Sequence, residues 1–394
     1  MYILEEEAVS RDVGRLDQAW EDPRSFVFLP RKGAPPLPWV EQAMARLPAR
    51  FHEGHFVLAT SGSTGLPKLV VGARGRAEGL ARLLHKVQDS SPVRTTVGVL
   101  PLTYCYAFVN QWLWARVMGR EFLPTQGFRK PDELKRILAA ASDCMLCLVG
   151  ALVPMFPSQL GEDVSFPNVC RLHFAGGMYP QGHQALLQQL FPNATVFNNY
   201  GCAEAMPRLT VRRRQAEDEG ANIGSPLPGI RMRTNESDEI LFQSPFAAVA
   251  VYESERFFVP GEADWIATGD LGEEMKDGTW RVKGRSSEVF KRYGEKVSLA
   301  RLMSTVTQAW RGQAAFYRER DPAGEEGHVL VLAPRVGAGE LQEVLQAFRK
   351  HHPRTHWPLR IESVPDMPLL SSGKPDLLSL SESGCEHVVW RQRL

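Results

Sequence analysis

Little in this sequence is extreme, and each shortage excludes a class of function. Six cysteines are scattered through 394 residues (105, 144, 147, 170, 202 and 385), too dispersed for a disulfide scaffold. Cys144 and Cys147 have C-x-x-C spacing, but they fall in a run that reads as a buried strand. No second pair supplies the other ligands of a zinc site, so both are expected in the core. Net charge is only +1, from 46 Lys and Arg against 45 Asp and Glu, which gives no electrostatic case for nucleic acid or an anionic membrane surface. No run approaches the roughly 18 apolar residues of a membrane-spanning helix. The opening Met1-Tyr2-Ile3-Leu4-Glu5-Glu6-Glu7 is acidic where a secretory leader is basic and then apolar, which predicts a cytoplasmic protein.

What is present is ample core material, 43% apolar, in a chain long enough for one large and one small domain. The most informative stretch is Ala59-Thr60-Ser61-Gly62-Ser63-Thr64-Gly65-Leu66-Pro67-Lys68. It lies between Phe56-Val57-Leu58 and Leu69-Val70-Val71, which read as paired strands with the loop as their turn. Glycines let a backbone approach a ligand closely, Ser and Thr add donors, and Lys68 adds a point charge. That combination suits a polyphosphate, although the spacing is not the Walker G-x-x-x-x-G-K-[ST]. The plain alternative is a hydroxyl-rich hairpin turn.

T-S-G-S-T-G-L-P-K resembles the phosphate loop of the acyl-adenylate-forming superfamily, which includes acyl-CoA and aryl-CoA ligases, luciferases and peptide-synthetase adenylation domains. Further motifs follow in that superfamily's order. Ala175-Gly176-Gly177-Met178-Tyr179-Pro180 is similar to its adenine loop, and Asn199-Tyr200-Gly201-Cys202-Ala203-Glu204 to its Y-G-x-T-E. The resemblance implies that Tyr200 stacks on adenine, that Glu204 holds Mg²⁺ against the phosphates, and that Ala203 replaces a threonine contacting the α-phosphate. Thr268-Gly269-Asp270 implies ribose binding by Asp270, and Arg285 reaches ribose or phosphate. Ser371-Ser372-Gly373-Lys374 places Lys374 as the lysine that neutralises charge during attack on the α-phosphate. Lys68, Glu204 and Lys374 are the implied catalytic set. Thr60 to Gly65, Gly176, Gly177, Met178, Asn199, Tyr200, Gly201, Asp270 and Arg285 are the implied nucleotide contacts.

Residues 131–193 alternate helical and strand patterns, which predicts an α/β fold with mostly parallel sheets flanked by helices. The resemblance sets an adenylation core at 1–283, a smaller mobile α+β lid at 284–394, and a hinge near 285–288 with Ser287 at the usual hinge position. Residues 1–55 read as proline-rich connectors with one helix near Trp39 to Leu47, so the superfamily's first subdomain is expected to be largely missing. A homodimer is one way of replacing it.

Tyr104 stands where the superfamily has a histidine or aromatic beside the substrate carboxylate. Tyr104, Tyr106, Phe108 and Cys202 are the expected acid pocket, with plain core packing as the alternative for the aromatics. No aspartate occurs between Pro101 and Met118 to bind an α-ammonium group, so an aromatic or apolar acid is expected. The implied reaction uses ATP and Mg²⁺ to make an acyl-adenylate, then passes the acyl group to a carrier-protein thiol or coenzyme A. An amine acceptor, or a non-catalytic nucleotide-binding relative, remains an alternative.

Overall fold

The computed structural model describes residues 1–61, 67–161, 163–215, 218, 221–370, 373–382 and 387–392. Two large sheets form its bulk. One has six strands in the order Tyr2–Glu5, Phe26–Leu29, His55–Ser61, Pro67–Ala73, Ala250–Glu253 and Arg256–Phe258. Its first three strands run parallel and the rest antiparallel. The expected hairpin is present, with Thr60 opposite Lys68 and Ser61 opposite Pro67, so the phosphate-loop candidate connects two strands at its tip. Gly62 to Leu66 themselves lie outside the described residues.

The second sheet has eleven strands. Thr195–Tyr200, Val169–Phe174, Cys144–Leu148, Thr95–Gly98 and Glu121–Pro124 make its parallel half. Antiparallel strands from Thr210–Arg213 to Trp280–Arg285 make the rest. The fold is therefore α/β with a large mixed sheet. Cys144–Leu148 is buried along its whole length, with Cys144 and Cys147 in the core. Helix Arg74–Val87 packs through Ala77, Leu80, Ala81 and Leu84, spaced to share one face. Each buried leucine there contributes about 2 kcal/mol of transfer free energy.

Residues 1–55 depart from the expectation. They form two strands and the helices Glu6–Arg11, Gly14–Glu21 and Leu37–Ala45. Phe26–Leu29 is buried at every position, as a strand paired on both sides must be. Leu16, Ala19 and Trp20 anchor helix Gly14–Glu21 to the same core.

The aromatic helix after Thr95–Gly98 is a short α-turn, then a π-helical turn over Phe108–Leu113, then Trp114–Met118. The wider π turn carries Asn110 and Gln111, both buried. Gln111 donates to Thr96 Oγ1 and the Val97 carbonyl at 3.0 and 2.8 Å.

The smaller C-terminal sheet contains Gln313–Arg320, Glu326–Ala333, Arg360–Ser363 and Val388–Arg391. Helices Leu299–Ala309 and Ala338–His351 join it in a separate core around Leu302, Val306, Leu330, Val344 and Phe348. Gln313 Nε2 donates to the Ala151 carbonyl and Arg311 Nη1 to that of Gly182, each at 3.0 Å, so this domain docks on the larger one.

Candidate active site

Several of the motif residues lie where strands end. Lys68, at the base of the Thr60–Lys68 pair, projects its ammonium to 3.0 Å from Glu253 Oε1 and 3.6 Å from Glu204 Oε1. Glu204 sits in a single 3₁₀ turn, Ala203–Ala205, just after Thr195–Tyr200, and its carbonyl accepts from the Ala248 amide at 2.9 Å. Glu253 carried no motif. It becomes visible only because Ala250–Glu253 pairs with Pro67–Ala73 and brings its carboxylate beside the lysine.

A second cluster lies at the far end. Tyr200 Oη donates to Asp270 Oδ2 at 2.8 Å, and Arg285 Nε lies 3.0 Å from Asp270 Oδ1. Burial pushes the Asp270 carboxyl up, against the opposing pull of Arg285, the Tyr200 hydroxyl and Lys374. Glu288, in the turn Ser286–Glu288, is likewise pushed up by burial. Lys374 comes from the distant C-terminal domain. The Gly373 amide donates to the Leu370 carbonyl and the Leu370 amide to that of Lys374, at 2.9 and 2.8 Å, which closes a tight turn with Gly373 at φ +78°. Gly373 seats against Val149 and Leu152 of the large domain. Burial lowers the Lys374 ammonium, the Arg285 charge lowers it further, and Asp270 and Glu288 raise it. Four ionisable groups from both domains thus act on one another.

Gly176 follows strand Val169–Phe174 with φ +79°, and a Cβ there would fall 1.9 Å from Tyr104 Oη. Gly177 faces open space, and Met178 is 51% exposed beside it. Tyr106 crosses Tyr104 edge to face with centroids 6.0 Å apart. Cys202 is half-buried next to Glu204, whose charge adds to burial in pushing its thiol up.

Not every candidate converges here. Phe108 packs in the aromatic core, with ring centroids 4.9 Å from both Phe56 and Trp112 and 5.8 Å from Trp20, and so stands apart from Tyr104. Asn199 points to the opposite face from Tyr200. Its Oδ1 accepts from Gln88 Nε2 at 3.1 Å, and its amide lies 3.5 Å from His173 Nδ1. Gly201 serves packing, since a Cβ there would meet the Pro207 carbonyl at 1.9 Å. Thr60 is half-buried at the hairpin base; of Ser61 only the backbone is described, and Gly62, Ser63, Thr64 and Gly65 lie outside the described residues.

Residues 15–240 match the profile of the AMP-binding enzyme family, more than half of the chain. The chain belongs to the AMP-binding enzyme family. This is the acyl-adenylate-forming superfamily that the ordered motifs identify. Among curated relatives, the non-ribosomal peptide synthetase CmlP of Streptomyces venezuelae is 25% identical over 364 residues, covering 88% of this chain and 36% of that protein. The chain therefore spans about a third of that relative. A D-alanine–D-alanyl carrier protein ligase of Staphylococcus epidermidis is 21% identical, covering 83% of this chain and 70% of its own. Among solved structures, the o-succinylbenzoate CoA synthetase of Bacillus subtilis in complex with its acyl-adenylate intermediate superposes with a TM-score of 0.73 at 17% identity. That match covers 98% of this chain and 88% of the other, and the likeness is one of fold. Among the described residues of this AMP-binding family member, no helix is long and apolar enough to cross a membrane.

Proposed function

We propose that this protein activates a carboxylic acid with ATP, forming an acyl-adenylate and pyrophosphate, and then hands the acyl group to a thiol. The observation that carries this reading is the convergence of Lys374, Arg285, Asp270 and Glu288 from two domains. A half-buried lysine brought by a turn to two carboxylates and an arginine suits a negatively charged reactant.

In the proposed reaction a carboxylate oxygen attacks the α-phosphorus, and the bond to the β,γ-pyrophosphate breaks. Lys374 neutralises charge where carboxylate and α-phosphate meet. Asp270 accepts the ribose hydroxyls and Arg285 braces it. Lys68 leaves its two carboxylates to pair with the outer phosphates. Glu204 fits a hard divalent cation, because such ions keep several waters and accept one carboxylate alongside phosphate oxygens. Mg²⁺ bound there would offset phosphate charge. Residues 284–394 are assigned as the lid, turning about 285–288, where Ser287 is small enough to absorb the rotation.

Tyr104 and Tyr106 are assigned to the acid pocket, together with Cys202. The acceptor is assigned as a carrier-protein thiol. The relatives' printed roles, peptide synthetase and carrier protein ligase, support a carrier over free coenzyme A.

The test is pyrophosphate release with ATP and Mg²⁺ across benzoates, aryl-acetates, cinnamates, medium-chain acids and α-amino acids. Release with one class of non-amino acid is the expected result. Release with α-amino acids alone would overturn the pocket assignment, and silence with ATP still bound would overturn the activity.

A further inference from the structure

The proposed chemistry gives tasks to Lys68, Glu204, Asp270, Arg285 and Lys374, and leaves one cation of the same region unused. Arg208 is 0% exposed, among the largest fully buried side chains of the protein. Its backbone packs closely on Gly201, where a Cβ would meet the Arg208 Cα at 2.9 Å. Its guanidinium is in the interior. There it lies 5.2 Å from the Tyr106 ring centroid and donates from Nη2 to Asn110 Oδ1 at 3.0 Å.

Nε and Nη1 have no hydrogen-bond partner among the described residues. The largest electrical influences on the guanidinium come from Tyr106, Cys147, Tyr104 and Cys105, whose hydroxyls and thiols burial pushes up. Burial raises the Cys147 thiol to about 11 and the Cys105 thiol to about 12, so neither supplies a thiolate. Tyr106 Oη and His173 Nε2 are also buried without a partner.

Arg292, also 0% exposed, leaves Nε and Nη2 without a hydrogen-bond partner among the described residues but keeps the Asp321 carboxylate at 3.8 Å. Arg171, 7% exposed, donates to the Asp89 and Cys170 carbonyls at 3.0 and 2.9 Å and meets Asp89 Oδ2 at 3.1 Å. A buried unpaired cation with orphaned donors lacks a counter-charge, and here the deficit lies next to the acid-pocket residues Tyr104 and Tyr106.

We infer that the acid activated by this enzyme carries a second anionic group, and that Arg208 receives it. The inference rests on the acid-activation reading above and specifies its substrate class. The carboxylate to be activated meets Lys374, and the tail passes Tyr104 to place one oxygen of a carboxylate or equivalent anion on the unpartnered Nη1. A charge-assisted N–H···O bond of this kind is roughly twice as strong as a neutral one. The same cation repels the ammonium of an α-amino acid, in keeping with the lack of aspartate between Pro101 and Met118.

The test compares pyrophosphate release for matched pairs, hexanoate with adipate and 4-methylbenzoate with terephthalate. At least one diacid is expected to exceed its monoacid partner in kcat/KM by about 100-fold or more, because a site built to pair a polar group rejects the analogue that lacks it. Arg208→Leu should reverse that order, and Arg208→Lys should keep it at reduced kcat/KM. Wild-type activity on monoacids with none on diacids would overturn the inference and leave acid activation standing. Silence towards all four acids alongside release from other acids of the wider panel would overturn the inference alone, and silence across the whole panel with ATP still bound would overturn acid activation. A diacid preference unchanged in Arg208→Leu would overturn the role of Arg208, a result that a misfolded variant cannot mimic.

Discussion

Two buried arginines of this protein are in opposite situations. Arg360, 6% exposed in the C-terminal sheet, donates from Nε to Glu362 Oε1 at 2.7 Å and from Nη2 to Glu319 Oε2 and Tyr317 Oη at 2.7 and 2.8 Å. Arg208, 0% exposed, has one amide oxygen and an aromatic face. The first is part of the fold, since every neighbour it needs is supplied by its own strand and by Gln313–Arg320 of the same sheet. The second is held in place by the fold and left electrically incomplete. Charge balance, more than burial, separates a structural cation from one that awaits a ligand.

The sharpest way to break the contrast is Arg360→Leu. It leaves the Glu362 carboxylate in the interior without its counter-charge and should cost about 3–5 kcal/mol, read as a lower urea midpoint. Lys374→Ala belongs with Arg208. It should reduce pyrophosphate release about 10²–10³-fold while ATP binding and the urea midpoint hold. A parallel loss of stability would instead make Lys374 structural.

His328 tests the same contrast with a base. Its ring is fully buried between Phe290 and Phe316, with centroids at 5.9 and 5.2 Å, and neither nitrogen has a partner among the described residues. Burial holds it at about 3, with Arg292 and two histidines adding to the effect. The unfolded imidazole titrates near ~6.5, so the unfolded chain takes up the proton first. The stability this group contributes is complete above about pH 6.5 and is lost as pH falls towards its folded value, by up to ~1.4 kcal/mol per unit. His328→Phe should flatten the dependence of the urea midpoint on pH in that window. The smallest effect is expected for Arg208→Leu on stability. Relief of a buried charge and loss of the Asn110 bond offset each other to within about 1 kcal/mol. A drop as large as that of Arg360→Leu would move Arg208 to the structural class.

The alternating pattern over 131–193 and the hairpin around residue 60 were legible because both rest on local periodicity. Helix Gln184–Leu190 appears where the pattern put it. Residues 1–55 were less legible, because Tyr2–Glu5 is strand-forming only once Phe26–Leu29 lies beside it. The charged residues of the site that carry a motif were readable one by one. Arg208 and Glu253 were not, since neither belongs to a motif and their meaning comes from strands far apart in sequence. Phe108 misled for the same reason. Its aromatic neighbours Trp20 and Phe56 come from the first sheet and its helix, which the sequence pattern did not join to it.

The contact between Tyr104 and Gly176 bears on how the enzyme can change. Gly176 has a left-handed φ, and any side chain there would strike the phenol, so the two positions form one hereditary unit. A side chain at Gly176 needs the Tyr104 hydroxyl removed first, and the left-handed backbone strains it even then. The order of the steps is set by one hydroxyl.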